Sequence, residues 1–134
     1  MAVTHSAASR NAATNAVVDQ LDGAGSKLVF RISPSSVASP GAAAATLTMA
    51  TPAFGASGAV VAGRADAGAI ASDTNAAGNG SAVAYATLQT SGDVIAIHFA
   101  VAASGSDIDM SNGLTIAAAD TVSCSSLTYV ALPA

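Results

Sequence analysis

Apolar and polar residues alternate most cleanly over residues 81–101, SAVAYATLQTSGDVIAIHFAV. Two apolar runs flank a polar break, Gln89-Thr90-Ser91-Gly92-Asp93. Beyond the break, Ile95, Ile97, Phe99 and Val101 share one side of a period of two. Ala96, His98 and Ala100 share the other. Such alternation marks a half-buried strand, not a helix. The Ser91-Gly92 pair suits a hairpin, because glycine accepts the positive φ that tight turns need. The stretch predicts the central hairpin of an all-antiparallel core, with Phe30, Ile95, Ile97 and Phe99 packed together inside.

Residues 4–22 predict the only helix, capped by Thr4 or Ser6 and stopped by Gly23 in a left-handed conformation. Ala13, Val17 and Leu21 recur along one face beside Ala16, and Asn11, Asn15 and Asp19 along another. Residues 27–32 predict a strand with Leu28, Phe30 and Ile32 inward and Val29 and Arg31 outward. The Ser-rich segment 33–44, with two prolines, reads as a long loop before a returning strand at 45–49. Short strands are expected near 59–62 and 65–71, and a turn-rich loop over 72–80. Two further short strands, 107–110 and 114–116, are joined by Ser111-Asn112-Gly113, a turn signal. In the last strand, 121–130, Val122 and Cys124 share one parity and Leu127 and Tyr129 the other. A bulge at Ser125-Ser126 would turn all four inward. The sum is a single domain, 1–134, with a helix over 4–22 and an antiparallel β core over 27–131. The fold class is mainly β, an antiparallel β-sandwich or jelly roll with one N-terminal α-helix.

Composition narrows what such a fold does. About a quarter of the chain is alanine, and the aromatics are three Phe and two Tyr. A core built from these is thin, so support from an oligomer is expected. Charged residues make up 9% of the chain, against roughly 25% in an ordinary soluble domain. The net charge of -4 and the scattered Arg10, Lys27, Arg31 and Arg64 argue against nucleic-acid binding, which needs a basic patch. No stretch has the length and hydrophobicity of a membrane span. The start MAVTHSAASR lacks the apolar region of a signal peptide. A single cysteine, Cys124, leaves no intrachain disulfide.

Candidate chemistry is sparse. His5 and His98 are far apart in sequence, and no Asp or Cys near them has metal-ligand spacing. Asp107 and Asp109 share a strand face that Asp120 could join, but the glycine-centred calcium loop is missing. A solvated face that discourages edge pairing is the simpler reading. Cys124 has no base or cation in view to lower its pKa and reads as a small buried residue. The GAGSK segment at 23–27 reads as a helix stop running into a strand. No nucleophile elbow, P-loop or dinucleotide fingerprint is present. The expectation is therefore a protein that is not an enzyme, with no catalytic, cofactor or metal site.

Several segments resemble small virion structural proteins of tailed bacteriophages. THSAASRNAATNAVVDQLDGAGSKLVF, residues 4–30, is similar to their Ala-rich helix and first strand. PAFG at 52–55, AIASDTNAAGNG at 69–80 and DTVSCSSLTYVA at 120–131 are similar to their middle and end. Segment 33–44 departs from that pattern. The resemblance implies a capsid decoration, or cement, protein on the outer capsid surface, with the major capsid protein as partner and a homotrimer as its form. The N-terminal segment and the 33–44 loop are then expected to serve attachment more than folding. A tail or neck component is the structural alternative. A carbohydrate-binding sandwich, with Tyr85 as its main aromatic, is the alternative from another class.

Overall fold

The computed structural model describes residues 3–32 and 36–132. The fold is mainly β and sandwich-like, a curled mixed sheet with one N-terminal helix. Its centre is β1 (Lys27–Ile32), flanked by β2 (Ala43–Met49) and β5 (Val83–Gln89). Outside these lie β4 (Ile70–Ala71) next to β2, then β6 (Ile95–Ala102) and β7 (Ile108–Asp109) beyond β5. A separate two-stranded ladder joins β3 (Arg64–Asp66) to β8 (Thr128–Val130).

Strand register explains how a chain so rich in alanine makes a core. Leu47, Leu28, Leu88 and Ile97 form one row across the sheet. The next row runs Ala45, Phe30, Ala86, Phe99. Each phenylalanine has only alanine beside it, which leaves room for the ring on a close-packed surface. Leu28, Leu47, Leu88 and Ala86 are fully buried, and Phe30 and Phe99 nearly so. Phe54, Val83, Ile108, Ile116, Val122 and Leu127 close the same cluster.

Ile95 does not join them. The ladder slips between Leu88 and Gln89: Ile97 faces Leu88, but Ile95 faces Gln89, with Ala96 as the extra residue. A one-residue bulge moves a side chain to the other face. Ile95 therefore lies half-buried on the second face of the sheet, beside Gln89 and Val29. Ile97 is half-buried against the core.

The helix α1 (Ala7–Val18) is shorter than its expected span and tightens into a single 3₁₀ turn over Asp19–Leu21. Ser6 caps it, its Oγ accepting from the Ser9 N–H at 3.1 Å. The left-handed residue after it is Gly25, at φ 85°, rather than Gly23. Its buried face is Thr14, Val18 and Leu21, one position round from the stripe that apolar spacing predicts. The asparagines thus meet protein and are half-buried. Asn11 Oδ1 accepts from Gly63 N at 2.6 Å and Asn15 Oδ1 from Ser57 N at 2.8 Å. Thr14 Oγ1 donates to Gly63 O at 2.6 Å and accepts from Ala131 N at 3.1 Å. The helix docks on its own chain and closes the core with Val18 and Leu21.

Other expectations shift in detail. The strand expected over 65–71 divides: β3 pairs with β8 and β4 with β2, the chain bending between them. No strand forms at 59–62. The strands expected at 107–110 and 114–116 do not pair with each other. β7 instead runs parallel to β6, Val101 facing Ile108, the one departure from antiparallel pairing among the described strands. Thr115 makes a bridge to Ala82. The Asn-Gly turn is still made, with Gly113 at φ 106° and its N–H donating to Met110 O at 3.4 Å. Over 121–130 the ladder breaks rather than bulging, yet Val122 and Leu127 are buried and Cys124 and Tyr129 pack against the core. Residues 33–35 of the long loop lie outside the described residues.

Gly78 ties its loop to β2 and lies against the 117–118 segment. Its N–H donates to Ala44 O at 2.9 Å, and its φ is 49°. A Cβ there would lie 2.3 Å from the Ala117 carbonyl carbon. Gly80, at φ 78°, has open space. Gly78→Ala is expected to cost more than about 2 kcal/mol, and Gly80→Ala about 1 kcal/mol from backbone strain alone. Urea denaturation midpoints measure the difference. Equal losses would contradict the close approach.

Candidate functional site

The second face of the sheet is polar and carries the densest chemistry. Pairing places Thr46 opposite Val29, Val29 opposite Thr87, and Thr87 opposite His98. Lys27 pairs with Gln89 and Arg31 with Tyr85 on the same face. Alternation predicts Arg31 outward, and it does leave the core. It is nonetheless only 8% exposed, and Val29 is buried too.

A continuous polar chain accounts for that burial. Arg31 Nε donates to Thr87 Oγ1 at 3.0 Å, Nη1 to Gly41 O at 2.9 Å and Nη2 to Gln89 Oε1 at 2.8 Å. Thr87 Oγ1 donates onward to Gln89 Oε1 at 3.0 Å. Gln89 Nε2 and Lys27 Nζ both donate to Asp93 Oδ1, at 2.7 and 2.9 Å. The β5–β6 turn presents Asp93 at φ 64°. Hydrogen bonds from Lys27 and Gln89 hold its carboxyl below the usual carboxylate range. Burial pushes the Arg31 guanidinium below its usual value, and the Asp93 charge opposes that. Guanidinium remains a cation even so. Tyr85 and His98 meet beside the chain, rings 5.1 Å apart and tilted by 38°.

A groove of about 280 Å³ runs over this network. β1 contributes Lys27, Val29 and Arg31; Ala43 and Thr46 stand on the β2 side, Gln89 and Ile95 on the hairpin side.

A larger cleft, about 710 Å³, gathers the acidic candidates Asp107, Asp109 and Asp120 with Cys124. Each carboxylate is occupied locally. Asp107 Oδ2 accepts from Ala100 N at 2.9 Å, Asp109 Oδ1 from Ser106 N at 3.0 Å, and Asp120 Oδ2 from Ala117 N at 2.8 Å. They pin loops, as short polar side chains commonly do. Among the described residues, no three or more His, Cys, Asp or Glu side chains converge as a metal site. Cys124 is half-buried, its Sγ donating to Ser126 O at 3.4 Å, and burial pushes its thiol pKa up. That makes it a poor nucleophile. His5 is exposed ahead of α1, and His98 lies on β6.

Exposed large apolar side chains form a second kind of feature. β3–β8 pairing sets Val130 opposite Arg64, and the Val60-Val61 turn immediately precedes it. Val60, Val61 and Val130 are all exposed. No helix among the described residues is long and apolar enough to cross a membrane.

Comparison with protein-family models, curated proteins and solved structures finds no match to the chain. Its own residues therefore carry the functional reading.

Proposed function

We propose that this chain is a tailed-bacteriophage capsid decoration protein that binds the outer shell, as a homotrimer, and stabilises it. The supporting observation is the surface at the β3–β8 ladder. Val60, Val61 and Val130 stand in water there, and the nearby Arg64 is paired with Asp66, Nε to Oδ1 at 2.8 Å. An apolar edge whose charge is already neutralised can be covered by a neighbour without stranding an ion. On its β3 side the two-stranded ladder is already bonded, Gly55 and Gly58 N–H donating to Asp66 O and Arg64 O at 2.9 and 3.0 Å, so pairing with another chain would use the β8 side. The sequence resemblance points the same way. Stabilisation then follows from binding the assembled shell better than its separated parts.

Copy number tests the location. On the order of several hundred copies per purified virion is the expected result. A few dozen or fewer would place the protein in the tail or neck, whose rings have low-order symmetry. Absence from the virion would end the reading.

A further inference from the structure

We propose that the groove over β1 receives a carboxylate side chain, an aspartate or glutamate presented by a partner protein. Charge complementarity carries the argument. Among the described residues, ion pairs join Lys27 to Asp93 and Arg64 to Asp66, and none involves Arg31. Arg31 is a buried cation whose three hydrogen bonds go to neutral oxygens, on Thr87, Gly41 and Gln89. A guanidinium has five N–H donors, so two remain for a ligand. Asp93, the charge that offsets the burial of Arg31, is in direct ion pair with Lys27 instead, and a planar guanidinium matches a carboxylate better than any other common anion-binding side chain.

The groove fits that occupant in charge and size. Lys27 and Arg31 outweigh Asp93, so the groove is locally positive in a chain of net charge -4. Asp93 is engaged by Lys27 and Gln89. At about 280 Å³ the space falls just below the roughly 300–1,000 Å³ of small-molecule pockets. It suits one inserted side chain, whose methylene would lie against Val29, Ala43 and Ile95. The inference stands apart from the capsid reading, since it specifies only the chemistry of the partner.

The test is an NMR titration of the full chain, read at the Arg31 Nε–H and the Gln89 side-chain amide. The probes are acetyl-Gly-Asp-Gly-amide, its Asn counterpart and inorganic phosphate. The Asp peptide should shift both signals saturably and bind at least about tenfold more tightly than either other probe. Arg31→Gln should abolish the shift at Gln89. Ala43→Leu, a change at an exposed groove wall that leaves Arg31 intact, should weaken binding at least about tenfold as well. No shift, equal shifts with the Asn peptide, phosphate binding as tightly, or unchanged binding by the Ala43→Leu chain would each overturn the proposal.

Discussion

Removing residues 1–25 is expected to abolish cooperative folding. Val18 and Leu21 are essentially inaccessible to water, and each buried side chain of this kind contributes roughly 1.5–3 kcal/mol. Thr14, Asn11 and Asn15 supply partners to the backbone of Ser57, Gly63 and Ala131. Each such bond is worth roughly 0.5–1.5 kcal/mol net, and more where a buried group is left unpaired. Together these losses reach the lower part of the roughly 5–15 kcal/mol that holds an ordinary domain folded. The truncated chain gains back the entropy of ordering the helix, but its core stays open to water. Circular dichroism during a urea titration measures the outcome. A cooperative transition near that of the full chain would show that the helix serves attachment instead, as its alanine-rich sequence leads one to expect.

The second large effect lies at Phe30. It is 3% exposed, between Ala45 on β2 and Ala86 on β5. Neither alanine can reach into the space a missing ring would leave. Phe30→Ala is therefore expected to cost about 3–5 kcal/mol, as large-to-small core changes do. Ile95→Ala should cost about 1 kcal/mol or less, because Ile95 lies half-buried on the other face. Urea midpoints of the two variants decide it. Comparable losses would mean that the bulge between Leu88 and Gln89 does not form in solution.

How far the sequence can be read depends on what each local signal encodes. Parity sorted Leu28, Phe30, Phe99 and Val101 to the core correctly, because one face of a strand is uniformly apolar. It misplaced Ile95, since a bulge leaves no mark in composition. Parity assigned Arg31 to the second face but not to burial there: whether that face is covered depends on Gly41 and the loop before β2. The Thr87 and Gln89 side chains, polar at every second position beside the buried Leu88, were the available signal for its network. Apolar spacing on α1 favoured Val17 over Thr14 and Val18, because burial of Thr14 rests on partners at Gly63 and Ala131, far along the chain. The 111–113 turn was legible, yet the pairing of β7 with β6 was not. Parallel pairing is set by the path of the intervening chain rather than by any residue in the turn.

The proposed role is that of a capsid-binding protein. Its most direct test incubates the purified full-length chain with shells assembled without it and follows their thermal disruption. Saturable binding that raises the disruption temperature, with three-fold density on the outer surface by cryo-electron microscopy, is the predicted result. Shells that neither bind the chain nor gain stability from it would contradict the account.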